Sequence, residues 1–349
     1  MPIVALQIDG REIAPHKATV SPLLGTRTVL TRTPWEFVSL WLTRERKHDA
    51  LFFWNQAREF YTTSVRMALR SSPLLLYCSF MNAAKSLLTS KGIVFDPMHG
   101  VSSGNTRRPT DNISLSNETV RIQNRGILPA LSLHLGESEP NRLHTFQEIL
   151  FNLPFVHRTY CLTYKTQRDM FIPLTDCIYV FNTNTKQAYF RANLSKDFAH
   201  RRFLRRLPPT LIPDTPDVGI RAIRSAGSVV IGSRTLRTVP DREAIVHLNR
   251  QLRPDVQYIK GAQTLWYAKG VIAGPRRLAR FPLTLTLAAM HRLSEVCRYK
   301  PMELDSLLAG QKNWLLSEFI QAAPEQFIDE LAAEITGHQF LAPNVRAAT

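Results

Sequence analysis

Pro73-Leu74-Leu75-Leu76-Tyr77-Cys78-Ser79-Phe80-Met81-Asn82-Ala83-Ala84-Lys85-Ser86-Leu87-Leu88-Thr89-Ser90-Lys91-Gly92 is the stretch on which the fold turns. Proline after Ser72 suits the first position of a helix, because its ring already holds the helical φ and its missing N–H is not needed there. Leu75, Cys78, Ser79, Asn82 and Lys85 then recur at three- and four-residue spacing. Ala83, Ala84 and Ser86 are small enough to let a second helix come close, and Gly92 stands where glycine closes a helix. The spacing predicts a helix over 74–90 at the centre of a helical core.

Outward from that helix, Thr33-Pro34-Trp35-Glu36 reads as a helix start with Thr33 as its cap. Trp35, Val38 and Leu42 keep helical period, and a second helix is expected over 49–69 with Phe53, Ala57, Tyr61 and Ser64 on one side. Residues 1–33 read as an arm, in which Asp9-Gly10 suits a type I′ hairpin turn. A polar loop over 96–112 carries His99-Gly100 and Arg107-Arg108, followed by a short strand at 120–122 and a short helix at 146–153. The middle of the chain is rich in β-branched and aromatic residues, so 159–164 and 177–181 read as strands, the second in a hairpin with 187–191. Residues 220–224 and 229–231 read as a further strand pair after a proline-rich connector, 208–216, in which Asp214 and Asp217 look like turn residues. Helices are expected again over 283–299, 301–308, 314–322 and 324–336. The expected architecture is α+β: an arm (1–33), a helical region (34–154), a β-rich insertion (155–275) and a C-terminal helical region (276–349), the two helical parts packing together.

The chain has 349 residues, 44% of them hydrophobic, enough for a sizeable core. Its apolar runs are too short to cross a bilayer, and its start lacks the pattern of a signal peptide, so the expected setting is the cytoplasm, away from membranes. Cys78, Cys161, Cys177 and Cys297 form no CxxC motif, which disfavours a zinc knuckle or a dithiol redox pair, and no metal or cofactor is expected. Phosphate-loop, dinucleotide-binding, HExxH and GxSxG motifs are missing as well. The net charge of +16 is unevenly spread. Residues 186–237 hold eleven Lys/Arg against three Asp/Glu, and residues 276–300 hold six against one. Residues 301–349 reverse the balance, two against seven. Such a field attracts phosphate-rich partners. A nucleic acid, RNA or DNA, is therefore the expected partner. The candidate contacts are Arg107 and Arg108, Arg201, Arg202, Arg205 and Arg206 around Phe203, and Arg276 and Arg277. On a helix the four arginines at 201–206 would stack at i,i+4, with Phe203 free to stack on a base.

Two segments carry a family resemblance: the helix quoted above with its His99-Gly100-Val101 sequel and 120–123, and Leu293-Ser294-Glu295-Val296-Cys297-Arg298-Tyr299. In that order and separation they resemble the YaaC-like family of bacterial proteins, which implies a bacterial setting and no assigned activity. A weaker similarity is to HEPN domains, helical units found in ribonucleases, toxins and phage-defence proteins. It rests on Tyr77, Phe80, Ala83-Ala84, Leu87-Leu88, Gly92 and His99. HEPN ribonucleases carry Arg, four to six residues, then His on one helix. Here Arg44 and His48 stand too close, and His291 and Arg298 stand in reversed order. If the protein is an enzyme, His99, Lys85 and Arg298 are the expected catalytic groups, cutting a phosphodiester. The other reading is a non-enzymatic scaffold or interaction subunit, as homo-oligomer or with a protein partner held by the acidic tail.

Overall fold

The computed structural model describes residues 2–104, 106–108, 110–214 and 221–343. The strand start at Ile220, Asp217, the end of the proline-rich connector and the last residues of the acidic tail lie outside these. Along the chain, β1 (Ile3–Ala5), β2 (Gln7–Ile8), β3 (Arg11–Glu12) and β4 (Val29–Leu30) precede α1 (Trp35–Arg44), α2 (His48–Ser64) and α3 (Ser72–Ser90). There follow β5 (Val101–Ser103), β6 (Thr119–Ile122), α4 (Ile127–Leu135), β7 (Leu143–Thr145), α5 (Phe146–Phe151) and α6 (Pro154–Thr163). The middle holds β8 (Phe171–Asn182), β9 (Gln187–Leu194), α7 (Arg201–Leu204), β10 (Leu211–Pro213), β11 (Ala222–Ser225), β12 (Val229–Val230), α8 (Val239–Leu252), β13 (Val256–Ile259) and β14 (Leu265–Lys269). The chain closes with α9 (Pro282–Tyr299), α10 (Pro301–Ala309), α11 (Asn313–Thr336) and β15 (Phe340–Leu341). The α+β class is as expected.

These elements form two compact units. Unit 1 takes the chain up to Arg32, Asp169–Ala273 and the stretch from Gly337; unit 2 takes Thr33–Arg168 and Gly274–Thr336. The junctions thus fall after 168 and 273 rather than after 154 and 275, because 159–164 is not a strand. Pro154 starts a helix there, and Val156, His157 and Tyr160 bury one face of it against α11.

Unit 1 is built on an antiparallel sheet in the order β10-β11-β9-β8-β14-β13, with β1 beside β8 and β12 beside β9. The β8–β9 hairpin pairs Asn182 with Gln187, as the sequence predicts. The second strand pair is different: β11 and β12 each pair with β9 and not with one another. Alternate residues of the strands (Ile172, Tyr179, Phe190, Ile223, Tyr258) join Ile245, Leu248 and Leu252 of α8 in one core. The arm of residues 1–33 is part of this unit. Asp9 and Gly10 both have positive φ, 49° and 77°, and turn the β2–β3 hairpin with Ile8 opposite Arg11, the type I′ geometry. Buried Asn249 stitches the arm down, its Oδ1 accepting from the His16 N–H and the Tyr179 hydroxyl, both at 3.0 Å.

Unit 2 is organised by α3, which packs against α2, α4, α9 and α11. The small residues serve as expected: Ser79 donates to the Ala57 carbonyl and Ser86 to the Ala50 carbonyl, each at 2.8 Å, where α2 lies against α3. Phe80 stacks on Phe327 of α11 at 4.2 Å. Three local expectations fail. Position 34, not Thr33, caps α1, without a side-chain bond. α2 stops at Ser64 instead of continuing to 69. The helices expected at 314–322 and 324–336 are one, α11, running through Pro324. Within it Asp329, Glu330 and Glu334 are buried, so those carboxylates of the acidic tail face the interior and not a partner. Among the described residues no helix is long and apolar enough to cross a membrane.

Candidate anion site on α3 and α9

On α9, His291, Glu295 and Arg298 stand at i, i+4 and i+7 and share a face. On α3, Cys78 and Lys85 are two turns apart, about 10 Å along the axis, beside Tyr77. Packing of α3 on α9 sets these faces together, and the loop after α3 brings His99 over them. The Tyr77 hydroxyl is hydrogen-bonded to His99 Nδ1. The His291 ring meets Tyr77 edge-on at 4.9 Å between centroids and lies 5.5 Å from His99. His291 Nδ1 is 3.7 Å from a Glu295 carboxylate oxygen.

The His99 loop is held by two glycines that no other residue could replace without displacement. Gly100 has φ +73° and Gly126 φ +121°, and a Cβ on Gly126 would lie 2.5 Å from the Gly100 Cα. Their close approach lets the Met98 and His99 carbonyls accept the first N–H groups of α4, from Ile127 at 2.9 Å and Leu128 at 3.2 Å. His99 itself is exposed and lines an open hollow of about 850 Å³ with Gly100, Val101, Gln123 and Arg125.

Burial is the largest influence on Tyr77, Cys78, Lys85, His99 and His291. It lowers the pKa of His99, and the charges of Lys85 and Arg298 lower it further against Glu295. It lowers Lys85, partly offset by Cys78, and raises the Cys78 thiol against Arg298 and Lys85. It raises Tyr77, which therefore stays neutral. His291 falls to about 3 through burial, His99, Arg292 and Arg298. The structure thus brings together Lys85, His99 and Arg298, near enough for both cations to act on the ring, with Tyr77 and His291 added. Either the Tyr77 hydroxyl or His99 Nδ1 can be the donor of their bond, according to the tautomer of the imidazole.

The remaining candidates are sorted by their ion pairs. Arg107 is committed inside unit 2: its Nε lies 2.9 Å from Glu118 and its Nη2 2.5 Å from Glu303. Buried Glu118 also receives Arg292 at 2.5 Å, and Arg292 reaches Glu295 at 3.0 Å. Beside this chain of charges lies a cleft of about 270 Å³ lined by Ser103, Thr106, Arg108, Thr119 and Lys300. Arg108 is exposed there. The basic cluster at 276–280 is structural. Arg276 bonds His144 Nδ1 at 2.9 Å and the Leu143 carbonyl at 3.2 Å, and buried Arg280 pairs with Glu137 at 2.9 Å. Arg277 is half-buried and already partnered. On unit 1, α7 is only four residues long, with the Arg205 N–H donating to the Arg201 carbonyl at 3.2 Å and both Arg202 and Arg206 lying over the Phe203 ring. Phe203 is buried against Phe198 at 4.7 Å and cannot receive a base. Arg206 bonds the Asp169 carbonyl, while Arg201, Arg202 and Arg205 remain exposed. Sequence reading passed over Glu118 and Glu295 as site residues; the i, i+4, i+7 spacing on α9 was the available signal for Glu295, and nothing local marks Glu118.

The buried histidines set an acid limit on stability. His16, His144 and His291 have pKa values lowered to about 3, 4 and 3, chiefly by burial. In the unfolded chain each titrates near 6.5, so below that pH the unfolded state binds more protons than the folded one and stability falls with pH. Each contributes a loss of up to ~1.4 kcal/mol per pH unit. The melting midpoint at pH 5 is expected well below that at pH 7, a range above ordinary carboxylate titration. Equal midpoints would contradict the buried, neutral state of these rings.

Neither a curated protein nor a solved structure matches this chain. The family model described as YaaC-like Protein matches residues 25–335, a span that contains α3, the His99 loop and α9 as well as most of unit 1. The chain belongs to the YaaC-like family.

Proposed function

We propose that unit 2 binds the phosphate backbone of a nucleic acid, RNA above all, through Lys85, His99 and Arg298. The observation that carries this reading is the contrast among the basic residues. Arg107, Arg276, Arg280 and Arg292 are consumed by carboxylates or carbonyls of their own unit. Among the described residues Lys85 and Arg298 form no ion pair; Lys85 lies over the Phe53 ring and Arg298 over the Tyr299 ring, and both charges bear on exposed His99. Two cations outside any ion pair beside an exposed imidazole suit a phosphate oxygen. The resemblance of α3 to HEPN domains points the same way. Exposed Arg201, Arg202 and Arg205 supply further, sequence-independent phosphate contacts on unit 1.

Recognition is supported over scission. Cutting a phosphodiester by acid–base chemistry needs one group holding a proton for the leaving oxygen and another ready to take one. His99 and His291 are both pushed toward the neutral form, and His291 is buried. The test is to incubate the protein with a labelled single-stranded RNA, measure retention, and run the recovered RNA on a denaturing gel. Retention of full-length RNA, weakened in His99→Ala, is the expected result. RNA that is not retained by the wild-type protein contradicts the reading, and shortened products that vanish in His99→Ala would replace binding with catalysis.

A further inference from the structure

We infer that Tyr299 is a stacking platform for an unpaired base, which makes the proposed ligand a single strand rather than a duplex; the inference rests on the nucleic-acid reading of unit 2. Tyr299 is the last residue of α9 and is 69% exposed. One face of its ring carries the Arg298 guanidinium, 4.5 Å from the centroid. Its hydroxyl makes no hydrogen bond among the described residues, so this part of the fold makes little use of the side chain. Met302, 82% exposed, leaves an apolar neighbour in the same turn of chain.

The chain neighbours of Tyr299 are the two cations that tie it to phosphate chemistry. Arg298 acts on the His99 ring, and Lys300, itself 3.7 Å from Glu303, lines the cleft that exposed Arg108 also lines. An aromatic face between two cationic stations is the arrangement by which single-strand binders hold a base while its flanking phosphates are neutralised. The guanidinium occupies one face of the ring by a cation–π contact and leaves the other for a base. Paired bases in a duplex already stack on each other and offer no free face to Tyr299.

Binding of a short fluorescent RNA is measured for the full-length wild type, Tyr299→Ala and Tyr299→Phe, using the strand alone, its duplex, and an abasic strand of the same length. Tyr299 is on the surface, so neither variant threatens the fold, and matched melting midpoints check this. The expected result is a loss of about ten-fold or more for the base-bearing strand in Tyr299→Ala, retention in Tyr299→Phe, and no difference between the proteins on the abasic strand. Unchanged affinity of Tyr299→Ala for the base-bearing strand overturns the inference while leaving the phosphate site standing. So does wild-type binding that favours the duplex. Failure of the wild type to bind any of the three overturns both.

Discussion

Glu137→Ala is expected to destabilise the protein by about 3–5 kcal/mol, the usual cost of leaving a buried charge without its partner. The Glu137 side chain is fully buried, and its carboxylate is the hub between α4 and α9. One oxygen accepts from Arg280 at 2.9 Å and from the Ser132 hydroxyl at 2.7 Å. The other accepts the backbone N–H of Phe281 at 2.7 Å and the Thr284 hydroxyl, thereby capping the start of α9. Burial pushes this carboxyl up while these donors hold it down. Removing it strands Arg280, 4% exposed at its side chain, together with two donors at the head of α9. The melting midpoint should fall by roughly 10 °C. Glu137→Gln keeps an acceptor for Phe281 and Thr284 but loses the ion pair, so its loss should be intermediate. Exposed Arg108→Ala should stay within about 0.5 kcal/mol of wild type. A Glu137→Ala protein as stable as the Arg108→Ala protein would mean that the cluster at 276–280 is not the structural brace described above.

The second large effect is on binding. Lys85→Ala combined with Arg298→Ala removes both unpaired cations that act on His99, without breaking an ion pair of the fold. Lys85 lies 5.4 Å over the Phe53 ring and is half-buried, so a small loss of stability from its stem is expected as well. Each charge-assisted contact contributes about 1.5–3 kcal/mol when desolvated and less at an exposed site. The double variant should therefore bind single-stranded RNA at least ten-fold more weakly at low salt. Arg276→Ala, whose guanidinium is engaged by His144 and Leu143, should cost stability and leave RNA affinity near wild type. Equal loss from Arg276→Ala and from the double variant would point to a diffuse basic surface in place of a site.

How much of this was legible depended on the kind of signal each element sends. α3 and α9 announce themselves through apolar period, small residues and a closing glycine or lysine, and the β8–β9 hairpin through its Asn-Thr-Asn-Thr turn. The segment 159–164 misled because its tyrosines and threonines are strand-like by composition, yet Pro154 and the 156–157–160 spacing dictate a helix. α8 went unread although Thr238 caps it by accepting from the Asp241 N–H, because polar Asp, Arg, Asn and Gln dilute its apolar stripe. The grouping of Lys85, His99 and Arg298 was an expectation taken from the segments that carry the family resemblance. What the sequence hides is pairing at long range. Glu118 lies 174 positions from Arg292, and Glu137 lies 143 from Arg280. A basic run reads as a binding patch until its distant carboxylates are found, which is why 276–280 changed meaning.

The most direct test of the central claim is the slope of log affinity against log salt for single-stranded RNA, measured from 50 to 200 mM for the wild type and the Lys85→Ala/Arg298→Ala protein. Each phosphate contact contributes about 0.7 to the slope on a single strand. The account predicts a steep wild-type dependence that becomes shallower by about 1.4 in the double variant. A wild-type affinity indifferent to salt, or a slope the double variant leaves unchanged, would contradict it.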